Sequence, residues 1–223
     1  MALAQLAVFV RPPESGEVKT RLSTVLGNDG AAALYRAFVD DTLRLCQRVR
    51  SLGRIDLALW STTLESDEVT EWANRLGTAA HLQPEGDLGV RLHRALDDGL
   101  RDYERVVIIG SDSPTLPVEL VVAAFDSLAN APLMLGPASD GGYYAVGAAQ
   151  GMRPTFDRVR WSTPHAFEDT LRANAAHPPA IIPPWYDIDE PGDLDVLRAH
   201  LSVNPEAAPS TARCLSRLAA AQR

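Results

Sequence analysis

Residues 106–117, Val-Val-Ile-Ile-Gly-Ser-Asp-Ser-Pro-Thr-Leu-Pro, run from four consecutive aliphatic side chains straight into an acid and a proline-containing turn. A short apolar run without polar alternation reads as a strand buried on both faces, the signature of a parallel sheet covered by helices. In open sheets of that kind the ligand crevice lies outside the carboxyl ends of the strands, so Asp112 falls on a rim that faces solvent. A carboxylate held there is placed to ligate Mg²⁺. The same acid also fits a plainer role, turning the chain and capping a helix that starts near Pro117.

Toward the N-terminus, the apolar run Leu3 to Val10 leads into Arg11-Pro12-Pro13-Glu14-Ser15-Gly16-Glu17-Val18-Lys19-Thr20-Arg21-Leu22. Gly16 lets the backbone approach a ligand closely, while Lys19 offers a point charge and Arg21 a planar fork, the two ways side chains grip phosphate. The loop reads as a phosphate cradle, although it has neither P-loop nor dinucleotide-fingerprint spacing. A solvated Lys-x-Arg pair at a helix start is the competing reading.

Downstream, Leu133 to Gly136 and Tyr143 to Val146 flank Pro137-Ala138-Ser139-Asp140-Gly141-Gly142. Asp-Gly-Gly is first a turn signal and predicts a β-hairpin. It also leaves amides of Gly141 and Gly142 free to close on a sugar or phosphate, with Asp140 accepting hydroxyl hydrogen bonds. In Tyr186-Asp187-Ile188-Asp189-Glu190-Pro191, alternation along an extended segment points Asp187 and Asp189 the same way, before Pro191 opens a helix at its favoured first position. Two such carboxylates suit a hard cation, and Asp112 with Asp189 forms a plausible pair from two strand ends. Helix capping by Asp189 competes with that role.

Between these blocks, strand and helix alternate. Asn28-Asp29-Gly30 fits the start of a helix with stripe Leu34, Phe38, Leu45 and Val49. Strands are expected at 54–60 and 79–83, and helices at 66–76, 88–103, 117–130, 164–175 and 191–201, with a short apolar run at Ile181-Ile182. In Gly86-Asp87-Leu88-Gly89-Val90-Arg91, Asp87 fits an N-cap, and Arg91 projects from a first turn whose amides favour anions. Trp161-Ser162-Thr163 reads as a core aromatic before a helix cap, with an acceptor-site role as the alternative. The expected fold is an α/β three-layer sandwich around a mostly parallel sheet, a single domain over 1–201. The Ala-, Pro- and Ser-rich remainder, 202–223, reads as a tail with an appended helix at Thr211 to Ala221.

Composition narrows the partners. A chain of 223 residues with 46% apolar residues suffices for one core. A net charge of −8 argues against a nucleic-acid backbone as the partner, while Lys19, Arg21 and Arg91 still concentrate positive charge for a small anion. The first apolar run is too short for a membrane span and lacks a charged leader, so a cytoplasmic protein without a membrane partner is expected. Cys46 and Cys214 have no metal or disulfide spacing, and Cys46 falls on the stripe of a helix as a buried thiol. The five histidines are scattered, so none is nominated as catalytic.

Six ordered blocks together resemble a known group: Pro13-x-x-Gly16-x-x-Lys19-Thr20-Arg21-Leu22, Gly86-Asp87-Leu88-Gly89-x-Arg91, Gly110-Ser111-Asp112-Ser113-Pro114-x-Leu116, Pro137-x-x-Asp140-Gly141-Gly142-Tyr143, Trp161-Ser162-Thr163 and Asp187-Ile188-Asp189-x-Pro191-x-Asp193-Leu194. The chain is similar, from Leu6 to about Leu197, to the bacterial glycosyltransferase-A-like family also called radical-SAM/selenodomain-associated or arsenosugar-biosynthesis glycosyltransferases, within the nucleotide-diphospho-sugar transferase superfamily. It also resembles the guanylyltransferases that activate phospholactate-type acids, which share the Lys-x-Arg-Leu element. Arg11 stands where the family usually shows Lys, which keeps the charge and changes its geometry.

The resemblance implies a glycosyltransferase-A fold and a nucleotide donor bound with Mg²⁺ or Mn²⁺. In that reading Asp112, Asp187 and Asp189 hold the metal, and Lys19 and Arg21 act with Asp112 in catalysis. Gly16, Arg91, Asp140, Gly141 and Gly142 contact the donor. The expected reaction is sugar transfer from a nucleotide-sugar to a small acceptor. The alternatives are nucleotidyl transfer from an NTP to a phosphorylated acceptor with release of pyrophosphate, and a nucleotide-binding protein without turnover.

Overall fold

A computed structural model describes residues 3–221. Strands β1 (Ala4–Val10), β2 (Ile55–Ser61), β3 (Ala80–Leu82), β4 (Arg105–Ile109), β5 (Leu133–Pro137), β6 (Tyr143–Ala149) and β7 (Ala180–Ile181) form one sheet in the order β3-β2-β1-β4-β6-β5-β7. β1 pairs in parallel with both β2 and β4, and only β6 runs antiparallel to its neighbours β4 and β5. The predicted three-layer, mostly parallel α/β architecture is therefore the observed one.

The two central strands show why apolar residues dominate their sequences. Leu6 and Val8 of β1, with Val107 and Ile109 of β4, face one layer that contains Leu34, Phe38 and Val49 of helix α1 (Ser23–Leu52). Ala7, Val106 and Ile108 alternate to the other face, where Leu92 and Leu96 of α3 (Leu88–Gly99) pack. Period-2 alternation thus feeds two cores, and neither strand has a polar side to display.

Helix ends follow local chemistry. Asp87 caps α3, its side chain accepting from the Val90 amide at 3.0 Å. The predicted run to 103 stops at Gly99, where the backbone lies so close to Gln5 and Val106 that a Cβ would meet them at 2.6 and 2.7 Å. The α1 segment begins at Ser23, ahead of the Asn28 start, and is interrupted by Gly27 at φ 70° and ψ 164°. α2 (Asp67–Leu76), α4 (Val118–Ser127), α5 (Ala166–Ala173) and α6 (Pro191–Val203) lie close to their predicted spans. A 3₁₀ turn at Pro205–Ala207 then leads to α7 (Pro209–Ala221). Buried Asp41 of α1 accepts hydrogen bonds from the amides of Ser210 (3.0 Å) and Thr211 (2.8 Å), fixing the first turn of α7. Buried Cys214 and partly buried Leu215 and Leu218 join the same core as α1. No helix among the described residues is long and apolar enough to cross a membrane.

Candidate active site

The loops after β1 and β4 meet the segment that enters α6 at the carboxyl ends of the parallel strands. Lys19 is the centre of this junction. Its Nζ lies 2.5 Å from Asp112 and 2.6 Å from Asp189, with the lysine side chain only 5% exposed while the acids are 48% and 39% exposed. The ammonium also sits 5.8 Å from the centroid of the Phe38 ring. Burial alone would lower the lysine pKa, but the two carboxylates outweigh it and hold the group above its usual value.

The backbone explains why these acids converge. The Ile188 amide donates to the Asp112 carbonyl at 3.0 Å, which lays the 187–189 segment beside the β4 loop. Neither acid acts as the helix cap that competed for it. Pro117 is the N-cap residue of α4 and makes no side-chain cap bond. At α6 the Asp193 carboxylate accepts from the amides of Asp189 (2.9 Å) and Glu190 (2.7 Å), leaving the Asp189 side chain to face Lys19.

Of the expected metal trio, Asp187 and Asp189 do come together, and Asp140 completes their group. One carboxylate oxygen from each of Asp140, Asp187 and Asp189 lies within 4.8 Å of the others. Asp112 is held on Lys19 instead. Burial, followed by the charges of Asp140 and Asp189, pushes the Asp187 carboxyl up to about 6, and Ser139 donates to it at 3.3 Å. Three hard oxygen donors gathered in this way suit a divalent cation.

The remaining sequence candidates divide. Arg21 reaches Glu190 at 3.2 Å in an exposed pair at the rim, away from the buried ammonium. Gly16 has φ +83°, and beside it Ser15 donates to Asp29 at 2.6 Å, tying the loop to α1. Gly141, at φ +88°, is required by packing, since a Cβ there would stand 2.3 Å from the Pro164 carbonyl. The Gly142 amide donates to Asp140 at 2.8 Å and so sets that carboxylate rather than an external anion. Trp161 packs with Phe156 and Tyr143 against the α3 face of the sheet, the core role expected of it.

Arg91 stands apart from the lysine. It lines a cleft of about 340 Å³ together with Arg11, Glu14, Glu17, Thr62 and Thr63. The threonines follow β2, and the other residues come from the β1 loop and the start of α3. Sequence reasoning missed Glu14, Glu17, Thr62 and Thr63, which carry no motif. It also missed Tyr35, whose hydroxyl lies 2.8 Å from Ser111 Oγ and accepts from the Arg11 amide at 3.2 Å, linking the two loops through α1. A hydroxyl next to a helical apolar stripe gives no sequence signal for that role.

With this geometry established, relatives can be compared. The family profile described as "uncharacterized protein conserved in bacteria (DUF2064)" matches residues 43–163, slightly more than half of the chain. The chain belongs to the DUF2064 family. A provisionally named nucleotide-diphospho-sugar transferase from Desulfovibrio desulfuricans G20 shares 34% sequence identity, covering 99% of this chain and 96% of its own, with a TM-score of 0.87. More distant likenesses show the fold alone. A cytidylyltransferase from Leptospira borgpetersenii serovar Hardjo-bovis (strain JB197) is 13% identical over 100% of this chain and 96% of its own, with a TM-score of 0.59. The 4-diphosphocytidyl-2C-methyl-D-erythritol synthase from Anaerococcus prevotii DSM 20548 is 11% identical over 89% and 96%, with a TM-score of 0.60. No curated protein matches the chain. The DUF2064 match includes Arg91, Asp112 and the Asp140 turn, while Lys19 and Asp189 lie outside it.

Proposed function

We propose that this DUF2064 protein is a transferase that moves a sugar from a nucleotide-sugar donor to a hydroxyl of a small acceptor, with Mg²⁺ or Mn²⁺. The observation that carries the reading is one buried ammonium, Lys19, set among the carboxylates of Asp112 and Asp189 at the sheet's ligand-binding edge. Asp140, Asp187 and Asp189 would hold the cation, whose charge offsets that of the donor diphosphate. Lys19 provides a fixed positive charge for the phosphate oxygens as the bond from sugar to diphosphate breaks. Arg21 at the rim and Arg91 in the neighbouring cleft remain donor contacts in this scheme. The name of the Desulfovibrio relative and the resemblance to arsenosugar-type glycosyltransferases both support this direction.

The test is a product screen with Mg²⁺, UDP-, GDP-, CDP- and dTDP-sugars and a panel of hydroxyl acceptors. Acceptor-dependent release of nucleoside diphosphate is expected, falling roughly 100- to 1,000-fold in Lys19→Ala. Pyrophosphate release from an NTP with phospho-acid acceptors, and no turnover of any nucleotide-sugar, would replace this reading with nucleotidyl transfer.

A further inference from the structure

The acids proposed for the cation stand on the front of a segment whose back carries a chain of hydrogen bonds. Residues 186–189 alternate. Tyr186 and Ile188 pack into the core shared with α1 and α6, while Asp187 and Asp189 group with Asp140 on the other side. Behind the acids, Trp185 Nε1 donates to Thr115 Oγ1 at 3.3 Å, and Thr115 Oγ1 donates to Tyr186 Oη at 2.8 Å. Tyr186 Oη lies 2.7 Å from Nδ1 of His200 on α6. Thr115 follows Asp112 in the loop after β4, so the chain of bonds joins that loop, the acid segment and α6.

The direction of the chain follows from its ends. An indole N–H can only donate, so Thr115 accepts from Trp185 and passes its own hydrogen to Tyr186. The phenol hydrogen is then left for His200, whose Nδ1 must be bare, with the ring proton on Nε2. His200 is thus the acceptor on which the chain ends.

Packing does not require such a chain. Apolar side chains of similar shape would fill the same volume, and polar groups inside a protein cost free energy unless each is paired. Thr115 is buried, and every polar atom in the series has its partner. What the bonds add is a set distance and angle for the segment that carries the acids, the service that hydrogen-bonded partners perform behind metal ligands.

We propose that Tyr186 and His200 are positioning residues that hold Asp187 and Asp189 at the spacing a divalent cation needs. The inference rests on the reading of Asp140, Asp187 and Asp189 as the cation site. The test is titration calorimetry of the full chain with Mn²⁺ in the absence of nucleotide, together with metal-free melting curves. Tyr186→Phe and His200→Leu should each weaken Mn²⁺ binding roughly 10- to 100-fold. His200→Asn, which returns an acceptor oxygen at the δ position, should recover most of that loss. Leu197→Ala opens a cavity at a fully buried position of the same helix, and should lower the melting temperature while keeping the Mn²⁺ affinity. Unchanged affinity in Tyr186→Phe and His200→Leu, no recovery in His200→Asn, or an equal loss in Leu197→Ala would overturn the assignment. Asp187→Asn separates the two readings. Mn²⁺ binding lost there but kept in Tyr186→Phe and His200→Leu would sink the positioning role and leave the cation site standing, whereas binding untouched by Asp187→Asn would sink the cation site and the positioning role with it.

Discussion

Lys19 holds a φ of 48°, a left-handed conformation that is costly for a long side chain and persists only where the surroundings enforce it. Here the Lys19 carbonyl accepts from the amides of Leu22 (2.9 Å) and Ser23 (3.2 Å), while Nζ spans two acids. The ammonium therefore stands beside the cation proposed for the Asp140 group and competes with it for Asp189. Replacing charge but not length, Lys19→Met should bind Mn²⁺ in the absence of nucleotide about tenfold more tightly than the unaltered chain. Calorimetry giving equal or weaker binding would show that lysine and metal do not compete. A second pair makes a different demand. Arg160 donates to Asp169 through Nε and Nη2, both at 2.8 Å, and through its amide at 3.1 Å, pinning the loop before α5. Those side-chain and backbone hydrogen bonds hold the Asp169 carboxyl well below its ordinary value of 3.8. In the unfolded chain the acid takes its proton near that ordinary value, so the pair's stabilisation is complete above it and fades as pH falls toward the folded value. Asp169→Asn should melt lower than the unaltered chain at pH 7, with the deficit narrowing below about pH 4. A deficit independent of pH would assign the loss to packing.

At the scale of elements, α7 depends on a cap supplied by another helix. Asp41 in the middle of α1 accepts from two free amides of the first turn of α7, the service that an N-cap side chain usually performs locally. Asp41→Ala should cost about 1–2 kcal/mol, and Asp41→Asn less, since an amide oxygen still accepts. In a chain of this size that corresponds to a fall in melting temperature of roughly 2–8 °C, and an unchanged melt would mean that α7 is held by its apolar face alone. The remote cap marks a limit of sequence reading, because Asp41 lies 169 positions from Ser210. Strands β1 and β4 were readable from their apolar runs, the 133–146 hairpin from Asp-Gly-Gly, and α3 from Asp87 and leucines four apart. The gathering of acids at the strand ends was readable too, since motifs beyond parallel strands share one rim. The pairing within that rim was not. Lys19 is 93 positions from Asp112 in sequence (112 − 19), and Asp140 joins Asp187 where the chain after β5 runs beside the 185–187 segment, the Trp185 amide donating to the Pro137 carbonyl at 3.1 Å.

At the scale of the molecule, the sheet is buried on both faces by two apolar layers, so Lys19 and the acids of the site sit on loops anchored to a rigid platform. The loops carry the excess of negative charge. Asp112 and Asp189 hold one ammonium, and Asp140 and Asp187 group with Asp189, in a chain whose formal charge is −8. A nucleotide diphosphate arriving alone meets that acidic field, and a divalent cation arriving alone meets Lys19. Each ligand relieves the charge that opposes the other, so their binding free energies should be coupled, and the coupling must be reciprocal. A ligand present at 100 times its dissociation constant stabilises the folded state by about 2.7 kcal/mol, or roughly 5–11 °C for a chain of this length. Melting curves with Mg²⁺ alone, nucleotide alone and both together should show a joint shift larger than the sum of the separate ones. In Lys19→Met the Mg²⁺-only shift should grow and the nucleotide-only shift should shrink, because the ammonium that opposed the metal is the one that met the phosphate. Strictly additive shifts in both proteins would place cation and nucleotide at independent sites.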